Sequence, residues 1–210
     1  MLKYNLVICL VLIGINASTQ SKFGVGINYT GGLSTIIGNN IQYSFKPSLG
    51  LGCETEYNFS SHSALSFSTG YLQLGSKFND EVDNGFNPAY KFEYWNMQLF
   101  YKYSLNPQGI KLMHYAELGI EENTLLSAAS VNTYGSINIK DNITLLSYGM
   151  IAGIGTSYKL KMYGICRLTL LSSYSLNHIY KGNMSDNGFI GNNIFIGLKA
   201  SYLFENNIKK

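Results

Sequence analysis

The stretch from Asn193 to Phe204 places the narrowest limits on the fold of this chain. Its even positions are apolar and end in aromatic rings, whereas its odd positions include Gly197, Lys199 and Ser201. Alternation with a period of two is typical of a β-strand that has one face in an apolar medium. Roughly nine to eleven tilted residues span a bilayer, whereas strands of soluble sandwiches are usually nearer five or six residues. The stretch therefore favours a strand of a membrane barrel.

The composition of the 210-residue chain suits a surface that faces lipid. Charged residues make up 13% of it, against roughly one quarter in soluble domains. Its 17 tyrosines can supply the amphipathic rings that edge a lipid-facing band. The 15 basic and 12 acidic residues are too evenly balanced to indicate a nucleic-acid partner. The length predicts one domain.

The first residues have the features of a secretory signal peptide. Lys3 supplies a positive charge, residues 6–15 form an apolar core, and residues 16–19 offer a small, polar cleavage zone. An apolar run of this length is too short for a transmembrane helix. We therefore predict a signal peptide at residues 1–19 and a barrel domain at residues 20–210.

Two cysteines, Cys53 and Cys166, follow the predicted signal peptide, which itself contains Cys9. Export permits disulfides. However, Cys53 and Cys166 fall on predicted strands two and seven, which are not neighbours, and a disulfide needs Cα atoms within about 7 Å. We predict two free thiols that behave as small apolar side chains.

Eight segments with strand alternation follow the signal peptide, joined by stretches rich in Gly, Asn, Ser and Pro. The predicted strands are residues 23–29, 48–58, 64–74, 90–105, 111–120, 143–158, 162–173 and 193–204. Long polar loops are predicted at residues 30–47, 75–89, 121–142 and 176–191, and short turns near residues 59–63, 106–109 and 159–161. The connections thus alternate between long and short.

This alternation of connections is typical of an all-β fold, the eight-stranded antiparallel up-and-down transmembrane β-barrel. Such barrels have short periplasmic turns, long extracellular loops and both termini in the periplasm. A soluble lipocalin-like barrel is the alternative, and it would carry charged residues on its outside. Here the polar face of predicted strand six carries Gly149, Gly153 and Gly155, which suit a crowded lumen better than solvent.

Five short motifs carry a resemblance to a known family. They are Phe-Gly-Val-Gly-Ile-Asn at residues 23–28, Gln-Leu-Phe-Tyr-Lys-Tyr at 98–103, His-Tyr-Ala-Glu-Leu-Gly at 114–119, Tyr-Gly-Met-Ile-Ala-Gly-Ile-Gly at 148–155 and Gly-Leu-Lys-Ala-Ser-Tyr-Leu-Phe at 197–204. With these motifs the chain resembles the porin-family, PorT-type outer-membrane β-barrel domain. The resemblance implies a barrel embedded in the outer membrane, in contact with its lipids and lipopolysaccharide, and it implies no common catalytic residue.

Charged residues on the polar faces of the strands form the candidate site. Strand parity directs three acids and three bases into the lumen: Glu54, Glu56, Glu117, Lys102, Arg167 and Lys199. Equal numbers of both signs are expected there, because an unpaired charge away from water is costly. Arg167 is the only arginine of the chain, and its planar fork can bridge two carboxylates.

Two interpretations of this charge set remain open. An eight-stranded barrel is just wide enough for side chains to fill, which favours a structural plug. A gated or selective pore is the alternative.

An enzymatic interpretation has weak support. Ser173 and His178 lie near the outer rim of predicted strand seven, but no acid partner can be assigned to them. His114 falls on the lipid face of strand five, and His62 lies in a turn. The phosphate-loop and dinucleotide fingerprints are absent, and neither Cys-x-x-Cys nor paired histidines indicate a metal. We predict neither a cofactor nor catalysis.

The aromatic ends of the strands are interpreted as membrane anchors. They form a lower set of Tyr57, Tyr101, Tyr103, Tyr158, Tyr202 and Phe204 and an upper set of Tyr29, Tyr71 and Trp95. The predicted function is a non-enzymatic outer-membrane barrel with a structural or loop-mediated binding role and a plugged lumen. A narrow porin or an export component is the alternative, and the loops are the expected contact region for any protein or ligand partner.

Overall fold

A computed structural model of the protein describes residues 23–38, 43–78, 89–106, 111–132, 134–160, 164–180 and 191–205. These residues form nine β-strands: β1 (Phe23–Gly38), β2 (Tyr43–Asn58), β3 (Ser63–Phe78), β4 (Ala89–Ser104), β5 (Leu112–Asn132), β6 (Gly135–Asn138), β7 (Leu146–Leu160), β8 (Gly164–Ser175) and β9 (Gly191–Glu205). A 3₁₀ turn at Lys140–Asn142 precedes β7. The predicted signal peptide, residues 1–19, lies outside the described residues. Within the described ranges, no helix has the length and apolarity needed to cross a membrane.

Eight of the strands close into one antiparallel barrel. Consecutive strands pair with each other, and the ring is completed where β1 pairs with β9 and β4 pairs with β5. The one described strand outside this count of eight, β6, pairs only with the end of β5 at residues 129–132. Full closure removes the unpaired strand edges that would otherwise invite aggregation. The predicted eight-stranded up-and-down barrel is confirmed.

The two ends of the barrel differ. At the turn end, the connections at residues 59–62, 105–111 and 161–163 are short, and β1 begins and β9 ends there. The loop end carries the connections at residues 39–42, 79–88, 133–145 and 176–190. Strands β1 to β4 are each 16 residues long. Because roughly nine to eleven residues span a bilayer, these strands are longer than the membrane requires.

Alternate residues point outward and inward as the sequence predicts. On β2, Leu49, Leu51 and Tyr57 are exposed on the outer face, while Glu54 and Glu56 are buried in the lumen. The same alternation holds for the outward residues of the other strands, including Leu65, Tyr71, Trp95, Leu99, Tyr101, Tyr148, Met150 and Ile154. Leu, Ile and aromatic side chains therefore cover the outside of the barrel.

The predicted loop at residues 30–47 is wrong, because most of it is strand. β1 continues to Gly38 and β2 begins at Tyr43. The ladder between β2 and β3 shifts register between Phe45 and Leu49, and Pro47 falls within this β-bulge. A proline lacks the N–H that a regular ladder needs, so a bulge is one of the few strand positions that accept it.

The hydroxyl of Ser34 fills the irregularity that the bulge creates. Its Oγ accepts a hydrogen bond from the backbone N–H of Gly75 at 2.8 Å and lies 2.7 Å from the carbonyl oxygen of the same residue. It also lies 2.6 Å from the hydroxyl of Ser48. The Gly, Ser and Thr residues that suggest a loop in the sequence instead supply small inward side chains to two long strands.

The predicted loop at residues 121–142 is also wrong. β5 continues without interruption to Asn132, and residues 135–138 return along it as β6. The Oδ1 of Asn132 accepts hydrogen bonds from the backbone N–H groups of Tyr134 and Gly135 and so caps the turn. β6 pairs with residues 129–132 of β5, whose other edge pairs with β4 as far as Val131, and Tyr134 at the tip of the β5–β6 hairpin is 84% exposed.

Two further predicted loops fall largely on residues that the structure does not describe. β3 runs to Phe78 and β4 begins at Ala89, so residues 75–78 and 89 of the predicted loop at 75–89 are strand, and its residues 79–88 lie outside the described residues. Most of the predicted loop at 176–191 likewise falls on residues 181–190, which are not described. β7 extends to Leu160, into the predicted turn at residues 159–161.

The two cysteines of the barrel are free and lie on its outer face. Cys53 is on β2 and Cys166 is on β8, and β1 and β9 separate these strands in the sheet. The prediction of two free, outward-facing thiols is confirmed.

Candidate functional site in the barrel lumen

The lumen at the turn end contains a network of charged side chains. Six residues make it up, and the structure brings all of them together: Glu54 and Glu56 on β2, Lys102 on β4, Glu117 on β5, Arg167 on β8 and Lys199 on β9. Their exposure ranges from 0% for Glu54 to 7% for Arg167. We refer to these six residues as the lumen charge network.

Arg167 forms the most directional contact of the network. Its Nη1 donates to Oε2 of Glu56 at 2.7 Å, and its Nη2 donates to Oε1 of the same carboxylate at 2.5 Å. Nη1 also lies 3.3 Å from Oε1 of Glu54. Such two-pronged, charge-assisted pairs are stronger and more specific than a contact between point charges. Arg167 thereby fixes the positions of both acids of β2.

Lys102 joins the two acids of β2 to the acid of β5. Its Nζ lies 3.0 Å from Glu56, 3.4 Å from Glu54 and 3.5 Å from Glu117. The ammonium group also lies 5.0 Å from the centre of the Tyr115 ring, within the range of a cation–π contact. One cation thus holds three carboxylates.

Lys199 completes the network on the opposite side of Glu54. Its Nζ contacts Glu117 at 3.2 Å and Glu54 at 3.9 Å, and it lies 4.3 Å from the centre of the Phe100 ring. Glu54 accepts further hydrogen bonds from the hydroxyls of Ser66 and Ser201, at 3.0 and 3.1 Å. Glu54 therefore contacts all three cations, and the three acids balance the three bases.

Tyr115 lines this network and was not singled out from the sequence. Its hydroxyl lies 2.5 Å from that of Thr169 on β8, and the guanidinium of Arg167 lies 6.0 Å from its ring centre. Tyr115 precedes Glu117 by two residues, so it shares the inward parity of β5. That spacing indicates an inward side chain. Because the chain contains many tyrosines, however, an individual inward ring is difficult to identify.

A second polar layer lies further towards the loop end, around Glu121. This residue is 5% exposed and accepts a hydrogen bond from Nε2 of Gln98 at 3.4 Å. Nearby, Nδ2 of Asn96 donates to Oδ1 of Asn123 at 2.7 Å. The sequence placed Glu121 and Asn123 in a loop, although the alternation of Glu117, Glu121 and Asn123 continues the inward face of β5.

An apolar core, which we name the apical core, fills the lumen at the loop end. Its buried members include Ile36, Leu72, Leu74, Phe92, Tyr94, Leu125, Ile143, Ile179 and Phe195. Ile143 and Ile179 come from the loop end itself, where an isolated bridge pairs Ile143 with Tyr180. Burial, together with the neighbouring Tyr90, raises the pKa of Tyr180 well above its usual range. The apical core thus closes the lumen at the loop end.

Ser173 and His178, the candidate catalytic pair, do not contact each other. Ser173 is buried in the lumen beside Glu121, whereas His178 is exposed at the loop end. Nδ1 of His178 lies 2.9 Å from Oδ1 of Asn192. His114 is exposed on the outer face of β5, and His62 lies in the turn after β2, stacked on Tyr103. Among the described residues, no cluster of His, Cys, Asp and Glu could hold a metal ion.

The predicted aromatic anchors lie on the outer face. The exposed rings nearer the turn end are those of Tyr57, Tyr101, Tyr103, Tyr158 and Phe204, and Tyr202 is partly exposed beside Phe204. In the upper set, Tyr29 and Tyr71 align across the sheet through Leu51, and Tyr71 pairs with Trp95. β1 continues from Tyr29 to Gly38, so the barrel wall rises beyond this upper set.

Comparison with solved structures finds outer-membrane barrels. OprG from Pseudomonas aeruginosa has a TM-score of 0.50 at 11% identity, covering 88% of this chain and 97% of that chain. Neisserial surface protein A has a TM-score of 0.48 at 13% identity, covering 86% and 96%. Ail of Yersinia pestis, solved in complex with the heparin analogue sucrose octasulfate, has a TM-score of 0.45 at 16% identity, covering 89% and 100%. At these identities the likeness shows the fold alone.

A comparison with curated protein sequences finds no match. The family model described as "Outer membrane protein beta-barrel domain" matches residues 12–181, which is most of the chain. The match agrees with the closed ring of eight strands and with the apolar outer face. The chain therefore belongs to the outer-membrane protein β-barrel family, and its place is the outer membrane.

Proposed function

We propose that this protein is a non-enzymatic outer-membrane barrel with a closed lumen that acts through its loop end, as a structural or binding protein. The observation that carries the proposal is the filling of the lumen in both halves. The lumen charge network occupies the turn end, and the apical core occupies the loop end.

The lumen charge network supports closure because its members restrain one another. Glu54, Glu56 and Glu117 each contact at least two cations from different strands. Moving any one side chain aside to open a path would strand at least one buried charge, which is costly. An eight-stranded ring leaves only enough interior space for side chains to fill, so little room remains for an aqueous channel.

The loop end supports a role in binding. The strands continue beyond the length that a bilayer needs, and the β5–β6 hairpin projects from them. On that hairpin Tyr134 at the tip and Ile137 on β6 are exposed apolar residues. Exposed apolar groups held away from the membrane are typical of surfaces that contact a partner. We propose that the loop end is extracellular and that the turn end, with both termini, is periplasmic.

Planar-bilayer recording of the refolded protein tests the closed lumen. We expect no unitary conductance, because the lumen charge network and the apical core lie in series. A stable unitary conductance in the parent protein would instead favour the alternative of a narrow pore or an export component. An export role would also agree with the PorT-type resemblance, which stays a prediction.

Epitope tagging tests the orientation. A tag inserted between Tyr134 and Gly135 should bind antibody on intact cells, whereas the same tag inserted between Ser60 and Ser61 should bind it only after the outer membrane is permeabilised. The second insertion is the matched control, because it lies in a connection at the other end of the barrel. The reverse pattern would contradict the proposed orientation and move the binding role to the turn end.

A further inference from the structure

A small cavity, which we name the lumen cavity, lies between the lumen charge network and the apical core. β2 and β3 line it with Gly50, Gly52 and Gly70, and β4 and β5 line it with Asn96, Gln98 and Glu121. The space open to the centre of a water molecule is about 20 Å³. Roughly 10–15 Å³ on this measure holds one water, so the lumen cavity can hold a small occupant.

The glycines of β2 and β3 form a close-packed part of the cavity wall. A Cβ on Gly70 would lie 2.2 Å from the carbonyl oxygen of Leu51 and 2.4 Å from Cα of Gly52. A Cβ on Gly52 would lie 2.6 Å from the carbonyl oxygen of Thr69. The close approach of β2 and β3 therefore excludes side chains at these inward positions.

Glu121 differs from every other buried carboxylate of the described residues, because no cation pairs with it. The ion pairs of the described residues engage Glu54, Glu56 and Glu117 in the lumen, and none includes Glu121. Its neighbours are neutral: the hydroxyl of Ser173 and the amides of Gln98, Asn123 and Asn96. A buried carboxylate without a cation is expensive to ionise.

The atoms around the cavity are suited to a hard cation. Besides the Glu121 carboxylate, the lining contains the amide side chains of Asn28, Asn96 and Gln98 and the hydroxyls of Ser68 and Ser173, and it contains neither Cys nor His. Nδ2 of Asn28 donates to Oγ of Ser68 at 2.9 Å, and Oδ1 of Asn28 lies towards Gly52. Carboxylate, amide and hydroxyl oxygens are ligands of hard cations, whereas softer metals select sulfur or imidazole.

We propose that the lumen cavity binds one small monovalent inorganic cation, sodium or potassium, next to Glu121. A single carboxylate carries one negative charge, so one monovalent ion neutralises it without a second acid. The size of the cavity excludes an organic ammonium ion of the size of choline. The bound ion links β5 to the glycine-lined wall of β2 and β3, and it supplies the cation that no described residue provides next to Glu121.

Thermal unfolding in detergent micelles tests this site. The protein is refolded in sodium, potassium or choline chloride at equal ionic strength, so that the ion is enclosed as the barrel closes and bulk screening is the same. Unfolding is followed by the fluorescence of Trp95, the only tryptophan. We expect the midpoint in sodium or potassium to exceed that in choline by on the order of 3 °C and to rise with salt concentration, because an ion that binds only the folded state stabilises it.

Glu121→Gln should remove the difference between the salts, since the amide keeps the shape and loses the charge. Glu122→Gln is the matched control: the same change at the next residue of β5, on the opposite face, should leave the difference intact. Equal midpoints of the parent protein in all three salts would overturn the proposal and leave Glu121 a protonated acid. A salt difference that persists in Glu121→Gln would overturn it as well.

A direct measurement keeps the test decisive if Glu121→Gln does not refold. Crystals of the parent protein grown in rubidium chloride should show an anomalous scattering peak beside the Glu121 carboxylate. Absence of that peak from a well-ordered lumen would overturn the proposal. Neither experiment depends on the loop end, so failure here and failure of the proposed binding role are separate results.

Discussion

Arg167 and Glu56 are joined by two parallel hydrogen bonds across the interior of the barrel, Nη1 to Oε2 and Nη2 to Oε1. Their strands, β8 and β2, are separated in the sheet by β9 and β1. The pair therefore spans the lumen instead of following a strand ladder. It connects parts of the wall that share no backbone hydrogen bond.

Removing the guanidinium should destabilise the barrel strongly. Arg167→Ala leaves Glu56 with Lys102 alone and weakens the neutralisation of Glu54, and loss of one partner of a buried pair typically costs roughly 3–5 kcal/mol. We expect a lower midpoint of urea unfolding in detergent, or measurable bilayer conductance where the strands still close. Arg167→Lys should recover only part of the loss, because a point charge cannot engage both oxygens at once. If Arg167→Ala has the unfolding midpoint of the parent protein and shows no conductance, the role of the network in closure is contradicted.

Lys91 and Lys102 both lie on β4, and both pair with acids. We expect the pair with the longer distance to contribute more to stability. Lys91 lies 2.6 Å from Glu93, but its side chain is 38% exposed, whereas Lys102 contacts its acids at 3.0 Å or more with its side chain only 4% exposed. Exposed pairs contribute about 0–1 kcal/mol, while a broken buried pair leaves an uncompensated charge. Urea unfolding should show a large loss for Lys102→Met and a small one for Lys91→Met. Comparable losses would mean that water penetrates the network.

Gly70 should not tolerate a side chain. Its missing Cβ would lie within 2.4 Å of backbone atoms of Leu51 and Gly52, and backbone cannot move aside as a flexible side chain can. Gly70→Ala should therefore reduce the yield of the compact, heat-modifiable form on unboiled gels. Gly31→Ala is the control, because its nearest neighbour would be an ordinary contact at 3.5 Å. Equal yields would show that β2 and β3 separate more readily than their pairing indicates.

The two cysteines of the barrel should remain unlinked under oxidation. Cys53 and Cys166 both face outward from non-adjacent strands, so closing a bond between them would require the barrel to unfold locally. Mass spectrometry of unreduced peptides from the folded protein should recover both thiols free. A Cys53–Cys166 peptide would contradict the strand order.

The inward positions of the charge network could be predicted because strand parity is a local property. Glu54 and Glu56 are two residues apart within an alternating stretch, and the period of two settles their common face without knowledge of the partner strands. The choice of partner could not be predicted. Whether Arg167 reaches Glu56 or Glu117 depends on register around the whole ring, which a single strand does not encode.

The strand ends differ from those that the sequence predicts for two reasons. Pro47 normally interrupts a strand, and only the bulge between Phe45 and Leu49 makes its position acceptable. Beyond Ile120, Glu121 and Asn123 of β5 resemble a loop because they face a polar lumen layer instead of the apical core. The same misreading hid Glu121, whose burial becomes evident only when β5 is recognised as continuous.

The charges that neutralise one another lie far apart along the chain. Arg167 follows its partner Glu54 by 113 positions, and Ser201, which donates to the same carboxylate, follows it by 147. A nascent sheet that ends before β8 thus carries Glu54 and Glu56 with Lys102 as their only cation from the network, at a cost that rises as the sheet leaves water. Arrival of β8 and β9 supplies Arg167 and Lys199 at the same step that seals β9 against β1. A chain that lacks β8 and β9 therefore keeps an electrostatic penalty that only the complete barrel relieves.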